Sequence, residues 1–336
     1  MSSQDLQLKT HNSKLITPEI AFERVTKRFP SAATPAVDEV SLDVERGDLV
    51  VLLGPSGCGK TTLLKMVNRL YEHDSGRILV EGREIRTFKA TDLRRRIGYV
   101  IQSVGLFPHM TVARNIATVP EMLRWDKTRI NSRVDELLEL VGMAPEKYRN
   151  RYPAQLSGGE QQRVGIARAM AADPAIMLMD EPFAAIDSIT RRRLQDELLS
   201  IQQKVRKTIL FVTHDVEEAI RIADRIAVMQ AGKVLQYDTP LRILSSPADD
   251  FVAELTGAGD VLRRLSLLSV ESVMRPTNGA SSTLNGGSTI QTRDSVRDAL
   301  GLLLGSGSEA LAVVDEQGHS VGSIDMAAIR HLTHPG

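Results

Sequence analysis

An almost unbroken apolar run, Leu49–Leu53, passes directly into Gly54-Pro55-Ser56-Gly57-Cys58-Gly59-Lys60-Thr61. A run without polar alternation reads as a parallel strand covered on both faces by helices. The loop after it matches G-x-x-x-x-G-K-[ST], in which glycines let backbone N–H groups wrap phosphate oxygens and the following helix adds its positive N-terminal dipole. On this reading Gly54, Ser56, Gly57 and Gly59 form the cradle, and Lys60 reaches the β- and γ-phosphates of a nucleoside triphosphate. The Thr61 hydroxyl ligates Mg²⁺, with Thr62 beside it as a further candidate contact. Cys58 is a small loop residue rather than a nucleophile.

Ala175–Met179 and Thr208–Val212 are apolar in the same unalternating way. By contrast, Phe22, Val25 and Phe29, then Val40, Leu42 and Val44, predict strands of a half-exposed sheet, and Ile78, Val80 and Ile85 predict another pair. Helical period fills the gaps, as in Val134, Leu137, Leu138 and Val141, and from Ser157 to Ala172. The pattern predicts an α/β fold with an antiparallel β subdomain and a helical subdomain. The second apolar run ends in Asp180-Glu181-Pro182, which puts a carboxylate at the strand edge where open α/β sheets bind ligands. Asp180 is the candidate Mg²⁺ ligand alongside Thr61, and Glu181 the candidate that polarises the attacking water.

With 42 Lys+Arg against 42 Asp+Glu, the chain lacks the basic excess that would hold it on nucleic acid or an anionic membrane by charge alone. Its single cysteine excludes an internal disulfide framework and a Cys-rich metal site, and fits a reducing cytoplasm. No stretch approaches the roughly 18–20 apolar residues needed to span a bilayer. Residues 1–16 are polar and without period, and read as a flexible leader.

Between the two phosphate-site motifs lies Leu156-Ser157-Gly158-Gly159-Glu160-Gln161-Gln162-Arg163. Here residues 20–256 resemble the ATP-binding subunit of an ATP-binding cassette (ABC) importer, and this octet is similar to the family's signature. Ser157 can cap the next helix while Gly158 and Gly159 leave its N–H groups bare, a second anion site. The resemblance implies a P-loop NTPase domain at 17–256 that binds ATP with Mg²⁺ and couples hydrolysis to solute transport. It also implies a head-to-tail homodimer, with ATP between one phosphate loop and the partner's signature. Carried over residue by residue, Phe29 would stack on adenine, and Gln102 would touch Mg²⁺ and water and connect to the transmembrane partner. His214 would sense the γ-phosphate, and Asp187 would lie in the dimer-crossing loop. That loop departs from the usual Ser-Ala-Leu-Asp at Ala184 and Ile186.

Leu106, Phe107 and Met110 are costly in a solvated loop and read either as a docking surface for a membrane partner's cytoplasmic helix or as core packing. With Val119-Pro120 and Leu123-Arg124-Trp125, this stretch is similar to ATPase subunits of importers for glycine betaine, carnitine or choline. Importers of amino acids or polyamines share most of these motifs. The resemblance places the chain peripherally on the cytoplasmic face of a bacterial inner membrane, served by a periplasmic or lipid-anchored solute-binding protein. After a connecting segment at 257–268, residues 269–333 are similar to a single CBS-like (cystathionine-β-synthase-type) module. Its expected parts are a helix near Ser295–Leu304 and the strands Leu311–Val314 and Val321–Ile324. In such modules an adenosyl-nucleotide site has a Ser or Thr three residues before an Asp near this strand end, and here Ala328 stands where that Asp would be expected. Ala328, three residues past Asp325, implies no tight nucleotide binding. The Gly/Ser/Thr-rich Thr277–Ser288 predicts a flexible linker, so that the tail should be removable near Leu268. A lone module should pair with its copy in a dimer through Val296, Leu300 and Leu303.

Overall fold

The computed structural model describes residues 17–30, 32–102, 105–184, 186–276 and 288–333, with side chains through 329. The leader 1–16, Ser103-Val104, Ala185 and linker positions 277–287 lie outside the described residues. The chain divides into two compact units, one formed by residues to Val50, Gly57–Val212 and Ala231–Lys233, the other by Val51–Ser56, Thr213–Gln230 and the residues from Val234 on.

In the first unit, β1 (Ile20–Lys27) pairs antiparallel with β2 (Val37–Val44). The alternation of Val40, Leu42 and Val44 buries one face of β2. β3 (Leu49–Leu53) is buried along its whole length and is followed by α1 (Lys60–Val67), β4 (Ser75–Val80) and β5 (Arg83–Glu84). The half-exposed sheet runs β2-β1-β4-β5. Opposite Gly76, β1 bulges at Arg24, whose φ is +46°. A Cβ on Gly76 would stand 2.2 Å from the Arg24 carbonyl oxygen, so only glycine fits.

Next come α2 (Ala90–Arg96), β6 (Ile97–Val100), α3 (Val112–Met122), α4 (Lys127–Leu140), α5 (Pro145–Tyr148) and α6 (Gly158–Met170). α4 buries Val134, Leu137 and Leu138 as its period predicts. β7 (Ile176–Asp180), α7 (Ser188–Val205) and β8 (Thr208–Thr213) complete the unit. Within it the second sheet runs β3-β8-β7-β6, with β6, β7 and β8 parallel. The unalternating runs became these strands because helices cover both faces, and the carboxyl end of β7 delivers Asp180 to the sheet edge.

The second unit carries the end of β3, then α8 (Val216–Ile222), β9 (Arg225–Gln230) and β10 (Lys233–Asp238), with strand order β10-β9-β3. The short helices α9 (Pro240–Ser245), α10 (Asp250–Thr256) and α11 (Val261–Leu267) follow. Beyond them β11 (Arg275–Pro276), β12 (Thr289–Gln291), α12 (Val296–Ser306), β13 (Ala310–Val314), β14 (Ser320–Asp325) and α13 (Met326–Thr333) form a small α/β layer on a sheet ordered β11-β14-β13-β12.

The pairing face expected on the tail is not where the sequence put it. Val296 and Leu303 are buried in the tail's own core, beside Ile290, Leu311, Val313 and Ile324. The outward side of α12 instead shows Leu302 and Leu304, the latter 69% exposed. Helical period marks an apolar stripe but cannot say whether its own module already covers it.

Candidate functional site

In the first unit the phosphate loop enters α1 through Gly59, whose φ of +109° is left-handed. A Cβ there would lie 2.2 Å from the Ala36 carbonyl oxygen, so the position demands glycine. Gly57 also has positive φ, +82°. Lys60 is only 4% exposed, with its ammonium 3.8 Å from Cys58 Sγ. Thr62, in the same first turn, is half-buried. Gly54, buried, and Ser56, exposed, fall in the second unit.

Thr61 Oγ1 donates to Asp180 Oδ1 at 2.8 Å, joining the first turn of α1 to the end of β7. Burial pushes the Asp180 carboxyl above the usual carboxylate range, and the Thr61 hydroxyl and the ammonium groups of Lys65 and Lys60 offset this only in part. A carboxylate so short of compensating charge fits a divalent cation. Among the described residues no group of three or more His, Cys, Asp and Glu is placed to hold a metal ion. Mg²⁺ takes one or two protein oxygens and completes its shell with phosphates and water, and Thr61 Oγ1 and Asp180 Oδ1 are two such oxygens in contact.

Gln102, exposed just past β6, donates from Nε2 to Glu181 Oε2 at 3.3 Å. Glu181 has a left-handed φ of +45°, and its N–H donates to the Val212 carbonyl at 3.0 Å. For a non-glycine residue that conformation costs about 1–2 kcal/mol, so the turn that aims this carboxylate is strained. Burial and the Asp180 charge push the Tyr99 hydroxyl up, with Tyr71 adding to the effect.

The signature segment forms a capping box at the start of α6. Ser157 Oγ accepts from the Glu160 N–H at 3.3 Å, and Glu160 Oε2 accepts from the Ser157 N–H at 2.8 Å. Tyr148 donates its hydroxyl to Glu160 at 2.8 Å. A Cβ on Gly158 would meet open space, whereas one on Gly159 would stand 3.0 Å from Thr190 Cγ2. Asp187 caps α7, accepting from the Thr190 N–H at 3.0 Å. That bond holds its carboxyl below the usual range. His214, exposed in the second unit, precedes Asp215, which caps α8 by accepting from the Glu218 N–H at 3.2 Å.

Phe29 lies two residues beyond the end of β1 and is half-buried rather than in the strand core. Its ring packs against Tyr71 at 5.4 Å and 82°. In the candidate docking loop Phe107 is 39% exposed, and Leu106 and Met110 are half-buried. Sequence reasoning missed what holds this loop. The fully buried Asn115 accepts from the Phe107 N–H at 2.8 Å and donates to the Phe107, Met110 and Thr111 carbonyls, each at 3.1 Å. Arg168 adds a bond to the Gly105 carbonyl at 2.7 Å. The available signal was an Asn at an interior position of an amphipathic helix.

Comparison with known proteins places this geometry among relatives. The ABC transporter family model matches residues 37–184. The glycine betaine uptake system ATP-binding protein YehX of Escherichia coli is 47% identical over 306 residues, covering 91% of this chain and 97% of that protein. The glycine betaine/carnitine/choline transport ATP-binding protein OpuCA of Bacillus subtilis is 44% identical over 310 residues, covering 92% and 79%. Among solved structures, the ATP-binding cassette MJ0796, a dimer bound to ADP and Pi, superposes with a TM-score of 0.59 at 31% identity, covering 66% of this chain and 98% of that one.

Proposed function

The chain belongs to the ATP-binding proteins of ABC transporters, and from that membership we propose that it is the ATP-hydrolysing subunit of an importer for a quaternary-ammonium osmoprotectant such as glycine betaine, carnitine or choline. The observation that carries the hydrolysis is the 2.8 Å bond from Thr61 to Asp180, two oxygens gathered at the mouth of the phosphate loop. Mg²⁺ held by Thr61, Asp180 and Gln102 would supply the charge that neutralises the β- and γ-phosphate oxygens. Lys60 binds those oxygens, and the N–H groups of the loop residues Gly54, Ser56, Gly57 and Gly59 orient them, with Thr62 beside them. Glu181 takes a proton from the attacking water, and the Gln102 amide holds its carboxylate in place. In the head-to-tail homodimer Ser157, Gly158 and Gly159 serve the partner's ATP, Asp187 lies in the dimer-crossing loop, His214 senses the γ-phosphate and Phe29 stacks on adenine.

The solute class is supported by relatives whose similarity to this chain runs into the C-terminal tail. No helix among the described residues is long and apolar enough to cross a membrane. On our reading the subunit works on the cytoplasmic face of the inner membrane, docked through Leu106–Met110 to permease subunits that a periplasmic or lipid-anchored binding protein serves. We read 17–256 as the ATPase domain, 257–268 as its connection and 269–333 as a single CBS-like module. The order β12-α12-β13-β14-α13 supports the last of these.

The test is uptake of labelled glycine betaine by cells stripped of their own osmoprotectant systems and supplied with this chain, its permease and its binding protein. Uptake should appear with the wild type and vanish with Lys60→Ala. Uptake of a polyamine in place of glycine betaine would overturn the solute class, and uptake indifferent to Lys60→Ala would overturn the motor role.

A further inference from the structure

The ring of Phe29 stands on a loop with exposed neighbours on both sides, Arg28 and Pro30, so it needs outside support to keep one orientation. Its side-chain support comes from the segment Tyr71–Asp74. Asp74 Oδ2 accepts from the Arg28 N–H at 2.6 Å and Oδ1 from Lys27 Nζ at 2.9 Å, while the Asp74 N–H donates to the Thr26 carbonyl at 2.8 Å. Asp74 thus holds the backbone leading to Phe29 from one side, while the Ala36 N–H donates to the Lys27 carbonyl at 2.8 Å and the Ala32 N–H to the Phe29 carbonyl at 3.0 Å. Tyr71 packs perpendicular to the Phe29 ring, with Lys27 Nζ 5.6 Å from the Phe29 centroid and Lys65 Nζ 5.8 Å from that of Tyr71. The segment itself is anchored, since Glu72 accepts two bonds from Arg69 and Arg86 donates to the His73 carbonyl. Tyr71 is 37% exposed, so part of its ring remains open to solvent.

We infer that Tyr71 and Asp74 are positioning residues for base recognition, Asp74 setting the backbone of Phe29 and Tyr71 the plane of its ring, so that a purine base meets a preformed platform. This rests on the reading of Phe29 as the residue that stacks on adenine. A ring held in its bound orientation before the ligand arrives loses less freedom on binding, and the gain appears as affinity. Neither residue belongs to the phosphate loop or to the Asp180–Glu181 pair, so their removal should raise KM and spare kcat.

The experiment is steady-state ATP hydrolysis by the full-length chain carrying Phe29→Ala, Tyr71→Ala, Tyr71→Phe, Asp74→Ala, or Phe29→Ala with Tyr71→Ala. Phe29→Ala should raise KM about tenfold, and Tyr71→Ala and Asp74→Ala about three- to tenfold, the range an aromatic pair of this geometry supports. Tyr71→Phe should behave as wild type, because the ring remains. The double variant should be no worse than Phe29→Ala alone, since there is then no ring to position. If Phe29→Ala raises KM while Tyr71→Ala and Asp74→Ala do not, or if the losses add in the double variant, the positioning role is overturned. An unchanged KM in Phe29→Ala would instead overturn the stacking reading beneath it.

Discussion

The amide of Gln102 reaches the carboxylate of Glu181 across 3.3 Å, so a residue two positions past β6 steadies the one that follows β7. Glu181→Gln removes the proposed base and keeps the proposed phosphate cradle, and ATP turnover should drop at least about 100-fold with ATP binding retained. Gln102→Ala frees that carboxylate and also removes a proposed Mg²⁺ contact, and at least about a tenfold loss in kcat is expected. Parallel turnover and fluorescent-nucleotide binding assays check both, and wild-type turnover in Glu181→Gln would remove it from the role of base.

Asp180 carries a cost that metal binding would relieve. Its folded pKa is raised by burial, so the native state holds the proton more tightly than the unfolded chain. Its contribution to stability therefore falls as pH rises from the unfolded pKa through the folded one. Asp180→Asn should raise the melting temperature of the nucleotide-free protein at neutral pH, and lose both hydrolysis and the stabilisation by Mg²⁺-ATP. Differential scanning fluorimetry with and without Mg²⁺-ATP reads all of this in one series.

His73 is 2% exposed, and neither ring nitrogen has a hydrogen-bond partner among the described residues. Burial, then Arg86, holds its pKa below the ordinary histidine value, against the opposing charges of Glu72, Glu84 and Asp74. The unfolded chain then takes up the proton first, and stability is lost as pH falls below about 6.5 toward the folded value. His73→Leu should flatten that acid limb, measured as melting temperature against pH. An unaltered limb would assign the acid sensitivity to other groups.

Asn115 makes four hydrogen bonds to the Phe107–Thr111 loop from a fully buried position. Asn115→Ala leaves those groups without partners and should cost about 2–3 kcal/mol in chemical denaturation. ATPase activity of the isolated subunit should largely persist while stimulation by the assembled permease drops. Intact stimulation would separate the loop from docking.

In the Glu181→Gln background ATP should drive dimerisation, and Ser157→Arg should prevent it by crowding the helix start proposed to face the partner's nucleotide. Sedimentation velocity distinguishes the two, and a monomer in Glu181→Gln with ATP at about tens of micromolar would rule out the sandwich for the isolated subunit.

The parts legible in the sequence were those in which one physical demand fixes several neighbours at once. Leu49–Leu53, Ala175–Met179 and Thr208–Val212 had to be doubly covered strands, and they are β3, β7 and β8 to within a residue. The loop glycines had to bring backbone to phosphate, and Gly59 has room for nothing else. Single side chains that act across the fold left no such trace. Asn115 and Tyr71 carry no period, and Phe29 was grouped with β1 because apolar spacing continues past the point where Lys27 ends the strand. The strain at Glu181 was equally silent, since nothing in Asp-Glu-Pro announces a left-handed residue. In α12 the stripe was visible, yet the side that covers it was not.

Leu265 of α11 is buried in the same cluster as Val270, Val296 and Leu311, while two residues earlier Arg263 bonds Glu217 of α8 at 2.8 Å and the Thr256 carbonyl at 2.7 Å. One short helix thus belongs to two neighbourhoods at once, and the chain has no neutral place to be cut there. A stop codon after Leu268 would strip Leu265 of its cover and leave a greasy stump tugging on the helix that begins just past His214. Anyone grafting this tail onto another ATPase, or trimming it away, is therefore editing a hinge pin rather than unplugging an accessory. The splice that respects both owners carries α11 whole and replaces Leu265 with a polar residue whenever the tail is left behind.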